Sequence, residues 1–165
     1  MSSTELNGAD LYIAIGNPLR RDDGAAAKVV EALQPVASRI LIQPTIELAA
    51  EIAAARRVVF IDAATEGELQ LEPVDGKYGN YGNYGSHGMN AGEVVALSRK
   101  LYGFTGEAWL CSIPGDDFGV GEGLSAKAQG NVARAVELLR IWSSQPQYSR
   151  ATPDDTPESI SCVLL

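Results

Sequence analysis

The chain has 165 residues, a formal net charge of −8 and a hydrophobic fraction of 45%. That length suits a single domain with a substantial core, and the acidic balance excludes nucleic-acid binding through a basic face. No apolar run is long enough to cross a membrane. The first ten residues, MSSTELNGAD, lack the apolar segment of a signal peptide, and Cys111 and Cys162 form no disulfide or metal pattern. The expected setting is therefore a reducing cytoplasm with no membrane partner.

Residues 1–9 read as a loose tail. Leu11 to Ile15 is a short apolar run of buried-strand type, broken by Gly16-Asn17-Pro18. Asp22 and Asp23 follow, just ahead of an Ala-rich helix expected from Asp23 to Leu33, with Pro35 beyond its end. Ile40 to Ile42 is a second strand, stopped by Pro44. Thr45 is placed to cap a helix over Ile46 to Ala55, with Leu48, Ile52 and Ala55 on one face and Arg56-Arg57 suited to its carboxyl-terminal dipole. Val58-Val59-Phe60-Ile61-Asp62 is the clearest strand, apolar without alternation, as when a strand is covered on both sides.

Leu69 to Glu72 suggests an edge strand. Gly76 to Gly88, GKYGNYGNYGSHG, is Gly-rich and reads as a loop. Met89 to Leu101 has helical spacing at Val94, Leu97, Ser98 and Leu101. Ala108 to Ile113 is another buried strand, ended by Pro114, and Asp116 to Gly123 is loop. A long final helix spans Leu124 to Trp142, with Leu124, Ala128, Val132, Ala135, Leu138, Leu139 and Trp142 on one side. The segment 143–165 is rich in Ser, Pro and Asp and is expected to be a disordered tail. Its last four residues, Cys162-Val163-Leu164-Leu165, fit a C-a-a-X pattern, but acidic residues precede them, and the match is read as coincidence. Strands alternate with helices throughout. The class is therefore α/β, one domain over 10–142, with a mostly parallel sheet between helical layers.

Three residues at three element ends carry the candidate chemistry. Asp23 lies after the first strand at a helix start, Asp62 ends the central strand, and His87, the only histidine, precedes a helix. In a parallel sheet these positions share the carboxyl edge, where ligands bind. Two carboxylates and an imidazole suit a divalent metal and leave coordination positions open. Each residue also has a plain reading: Asp22 or Asp23 as the cap of the first helix, Asp62 as a strand-end turn, His87 as a solvated loop residue. Phosphate-loop, dinucleotide and nucleophile-elbow motifs are absent. Cys111, inside an apolar strand, reads as an inert thiol.

The stretch Gly16-Asn17-Pro18-Leu19-Arg20-Arg21-Asp22-Asp23-Gly24, then Val58 to Ala63 (VVFIDA), then Ser86-His87 before an apolar helix, resembles the hydrogenase maturation protease family over roughly residues 10–142. Peptidyl-tRNA hydrolases share the Gly-Asn-Pro but require a histidine soon after it, and none is present. The resemblance implies a three-layer α/β/α sandwich of phosphorylase/hydrolase-like type. It also implies an aspartic-type endopeptidase that activates a nickel–iron hydrogenase by removing the carboxyl-terminal extension of its large-subunit precursor. Asp23, Asp62 and His87 map to the family's catalytic and metal-contacting trio, with nickel supplied by the precursor and other divalent ions able to substitute. The alternative it leaves is a nickel-reading module that docks on the precursor without cutting it. Ala26 departs from the Gly of many members, and Gln43 to Leu48 replaces their Asp-Gly-Gly stretch. The Tyr-Gly-Asn loop before His87 is particular to this chain.

Overall fold

The computed structural model describes residues 8–76 and 88–146. The tail 1–7, most of the Gly-rich loop with Tyr78, Tyr81, Tyr84 and His87, and the segment 147–165 with Cys162 lie outside the described residues.

Among the described residues five strands form one sheet: β1 (Asp10–Ile15), β2 (Ala37–Leu41), β3 (Arg57–Ala64), β4 (Gln70–Pro73) and β5 (Glu107–Pro114), in the order β2-β1-β3-β5-β4. The first four in that order are parallel, and β4 runs antiparallel to β5 along the far edge. Among the described residues four helices accompany the sheet, α1 (Ala25–Leu33), α2 (Leu48–Ala54) and α3 (Ala91–Tyr102) between strands and α4 (Ala126–Ser144) after the last one. Right-handed crossovers decide which face each helix covers. The step β1-α1-β2 goes one way along the sheet and β2-α2-β3 goes back, so α1 and α2 fall on opposite faces.

The core divides accordingly. Leu11, Ile13, Ile15, Val58 and Phe60 face α2 and α3 in one buried cluster. Tyr12, Ala14, Val59 and Ile61 face α1 and α4 in the other. The uninterrupted apolar run of β3 thus serves both layers, and the expected three-layer α/β/α sandwich is the fold.

Several local expectations are corrected. Neither Asp22 nor Asp23 caps α1. A 3-10 turn, Arg21–Gly24, precedes that helix, and neither the turn nor α1 has a side-chain cap. Thr45 does not cap α2 either, because the chain enters through a turn in which the Leu48 N–H donates to the Thr45 carbonyl at 3.2 Å. On α3 the buried stripe is Ala91, Val94, Val95 and Ser98, leaving Leu101 59% exposed. A capping box between Asn90 and Glu93 sets where this helix begins. Ser125 caps α4, and the helix runs past Trp142 to Ser144.

Of the two arginines after α2, Arg57 serves a different helix from the one expected, and Arg56 pairs with Asp10 of β1. Arg57 opens β3 and is 1% exposed. Its Nη1 donates to the Trp142 and Gln145 carbonyls at 3.3 and 3.1 Å, and its Nη2 to the Ser143 carbonyl at 3.2 Å. These are carbonyls of the α4 carboxyl terminus, where a cation is favoured. The guanidinium also lies 4.3 Å from the Trp142 ring centroid. Asp10 completes the cluster, accepting Nε and Nη2 of Arg57 at 3.0 and 2.5 Å and the same two atoms of Arg56 at 3.0 Å each.

Candidate functional site

The sheet changes winding direction between β1 and β3, and the crevice above such a switch point is the ligand position of open α/β folds. Register places Asp62 of β3 beside Ile15, the last residue of β1, on one side and Ser112 of β5 on the other. Alternation puts Asp62 on the face of Val58 and Phe60, at the top of the α2–α3 layer.

From β1 the chain turns sharply. Gly16 has φ of +142°, and a Cβ there would lie 1.9 Å from the Asp23 carbonyl oxygen. Glycine alone permits this approach. The turn folds Asp23 back over the end of β1, where its Oδ2 accepts the Asn17 N–H at 2.7 Å. Asn17 in turn accepts the Leu19 N–H through Oδ1 at 3.0 Å, an Asx turn that shapes the loop. Asp23 and Asp62 thereby line one open cleft of about 670 Å³, shared with Asn17, Arg20, Ser112 and Glu72. Two of the three expected site residues are brought to one place from separate elements. The third, His87, lies outside the described residues. Among the described residues, no group of three His, Cys, Asp or Glu side chains is arranged to hold a metal ion.

Asp22, adjacent in sequence, does something different. Its side chain is fully buried. Oδ2 accepts the N–H groups of Asp116 and Asp117 at 2.8 and 2.9 Å and the Ser125 hydroxyl at 2.6 Å, while Oδ1 accepts the Ser125 N–H at 2.7 Å. Burial pushes this carboxyl upward, and the bonds from Ser125 and from the backbone of Asp117, Ser125 and Asp116 outweigh it, so its pKa is lowered. The loop carrying Asp23 is thus fastened to the β5–α4 loop. The same junction is closed by main-chain pairing of Arg20 with Gly121 and by an ion pair of Arg21 with Asp117 at 3.2 Å. Arg21 holds φ of +48° there, a left-handed conformation uncommon for a side chain of its size.

Sequence reasoning offered Asp22 as a cap of α1, and it missed Ser112, Gln70 and Glu72 as cleft residues. Asp22 reaches partners 94 to 103 positions away, which local spacing does not reveal. Gln70 and Glu72 reach the cleft because β4 returns antiparallel along β5, opposite Ser112 and Leu110. The one local signal was their alternation with buried Leu69 and Leu71. Cys111 is buried, and burial pushes its thiol up to about 12, which bears out the inert reading.

No family model matches this chain, and no curated protein matches it in sequence. Solved structures do. The chain is similar to the hydrogenase maturating endopeptidase HybD from E. coli, with a TM-score of 0.66 at 19% identity over 79% of this chain and 89% of that one. It is similar to the [NiFe] hydrogenase maturation protease HycI from Thermococcus kodakarensis, with 0.64 at 20% identity over 87% and 98%. HybD from the same organism gives 0.62 at 21% over 82% and 99%. The α/β/α sandwich with its acidic cleft above β1 and β3 therefore has the fold of the solved hydrogenase maturation proteases.

Proposed function

We propose that this chain is an endopeptidase of hydrogenase maturation, removing the carboxyl-terminal extension of a nickel–iron hydrogenase large-subunit precursor once nickel has been inserted. The observation that carries the reading is the meeting of Asp23 and Asp62 in one open cleft at the switch point of the sheet. The fold shared with solved proteins of that name supports it.

In this reading the nickel belongs to the substrate. Asp23 and Asp62 offer it hard oxygen donors, and His87 is the third ligand. Holding the ion would fix the precursor's carboxyl-terminal segment against the cleft, so that cleavage proceeds on a positioned bond. A carboxylate of the pair is then available to take a proton from the attacking water. The Asn17 N–H presets one Asp23 oxygen and leaves the other for the ion or the water.

The test is incubation of the purified protein with nickel-loaded and nickel-free precursor, with the large subunit weighed by mass spectrometry. Shortening of the loaded form alone is expected, and His87→Ala is expected to abolish it. A loaded precursor that binds and is never shortened would replace the peptidase reading with that of a docking module. Normal cutting by His87→Ala would remove the imidazole from the site. Ligation requires a neutral imidazole, so retention of the nickel-loaded precursor is expected to weaken between pH 8 and pH 5, about 1.5 pH units either side of an ordinary histidine pKa.

A further inference from the structure

The two edges of the sheet are built differently. The β4 edge carries Gln70, Glu72 and Pro73, the polar and proline residues with which proteins blunt an open strand. The β2 edge carries Ile40, 50% exposed, followed by Ile42, 67% exposed. Among the described residues, no strand pairs with the outer side of β2.

The main chain of β2 shows which groups face outward. The Leu41 carbonyl accepts the Gly16 N–H at 2.9 Å, so Leu41 turns its peptide groups toward β1. In a parallel ladder that sense recurs every second residue. Ala37 and Arg39 therefore also face β1, and Ile40 directs both its N–H and its C=O away from the sheet. An extended chain can satisfy both groups at once, displacing water from the edge, by adding as a further strand. The edge also leads into the site: Ile42 and Gln43, which directly follow β2, line the same cleft as Asp23 and Asp62.

We propose that the outer edge of β2, centred on Ile40, is the docking strand for the extended precursor segment next to the scissile bond, which then crosses Ile42 and Gln43 into the cleft. The proposal rests on the peptidase reading and adds to it a subsite that recognises main chain. Ile40 and Ile42 supply apolar contact to side chains of the docked strand. Because main-chain pairing is indifferent to most side chains, the extension is expected to tolerate substitution but not proline at the paired positions.

Ile40→Pro removes the outward N–H and leaves every bond toward β1 in place. Ile40→Lys keeps the main chain and places a charge on the edge. Both are expected to raise KM for the nickel-loaded precursor about tenfold, the loss of one or two ordinary hydrogen bonds or their apolar contact, with kcat little changed. Hydrogen exchange on the unaltered protein, pulsed within the first turnover of loaded precursor, is expected to show new protection at residues 38–43. Equal KM in both variants together with unchanged exchange at 38–43, while the unaltered protein still cuts, overturns the docking strand and leaves the peptidase reading standing. A precursor that the unaltered protein neither binds nor cuts overturns both. If Ile40→Pro fails to fold, Ile40→Lys and the exchange measurement carry the decision.

Discussion

The two ends of the parallel strands use the same residue type for opposite purposes. At the amino edge, Asp10 takes four bonds from Arg56 and Arg57, and Arg57 spends its remaining donors on the end of α4. At the carboxyl edge, Asp23 shares the rim of an open cleft with Asp62 and holds one oxygen on a main-chain N–H. Asp22 belongs with Asp10 although it adjoins Asp23, since four donors surround it in a buried site. What separates a structural carboxylate from a candidate reactive one is therefore the supply of donors and the access of water, not position in the chain. A buried charge persists only when it is paired or hydrogen-bonded, whereas a carboxylate at an open cleft keeps capacity for a ligand.

The comparison can be broken most severely at the cleft. Asp23→Asn and Asp62→Asn are each expected to lower cleavage of the nickel-loaded precursor about 100-fold or more, while the melting temperature moves by only a few degrees. A variant that unfolds instead would place that carboxylate with Asp10 and Asp22. Arg57→Met should do the reverse. It removes two of the four bonds to Asp10, leaving those from Arg56, and strands three carbonyls at the end of α4, which is expected to cost about 3 kcal/mol in denaturant titration, with cleavage per folded molecule unchanged.

Asp22→Asn sits between these extremes. It keeps the shape but not the acceptor capacity, so a loss of about 1–3 kcal/mol is expected, accompanied by a smaller fall in cleavage because the loop bearing Asp23 loosens. Chemical denaturation at pH 7 and at pH 3 sharpens the grouping. Burial raises Asp10, but the bonds and charges of Arg57 and Arg56 prevail, so its pKa, like that of Asp22, is lowered in the folded state. The stability these two groups supply is complete above the unfolded carboxylate value, about pH 4, and drains away as the pH falls through their folded values. In the double variant Asp10→Asn, Asp22→Asn, that acid sensitivity should be visibly reduced. The smallest effect concerns Cys111, whose peptide should remain unlabelled by iodoacetamide in the native protein at pH 8 and become labelled in denaturant, as read by mass mapping.

Much of the fold was legible because its signals are local. Uninterrupted apolar runs at 11–15, 58–61 and 108–111 mark strands covered on both faces, and the Gly-Asn-Pro break and Pro114 fall just beyond two of them where a turn is needed. The places of Asp23 and Asp62 at the cleft were legible from local signals too: Asp62 directly ends such a run, and Asp23 follows one across a turn, at a helix start. The fate of Arg56-Arg57 was not. Two cations after a helix suit its own dipole, and nothing near them in sequence indicates that Arg57 enters β3 and meets α4 some 85 residues later. Asp22 escaped for a similar reason, since an aspartate before a helix has the same local look whether it caps that helix or anchors a distant loop. The outward-facing peptide of Ile40, on which the proposed docking strand rests, depends on strand order, which places β2 at the rim of the sheet, and on register.

The sharp bend at Gly16 sets a limit for anyone wishing to retarget this scaffold. A methyl group there would occupy the space of the Asp23 carbonyl, so a library randomising the first loop would lose its members at that codon before any gain in selectivity could be scored. Diversity is better introduced at Gln43, Thr65 and Glu66, which border the same opening without sharing its cramped backbone.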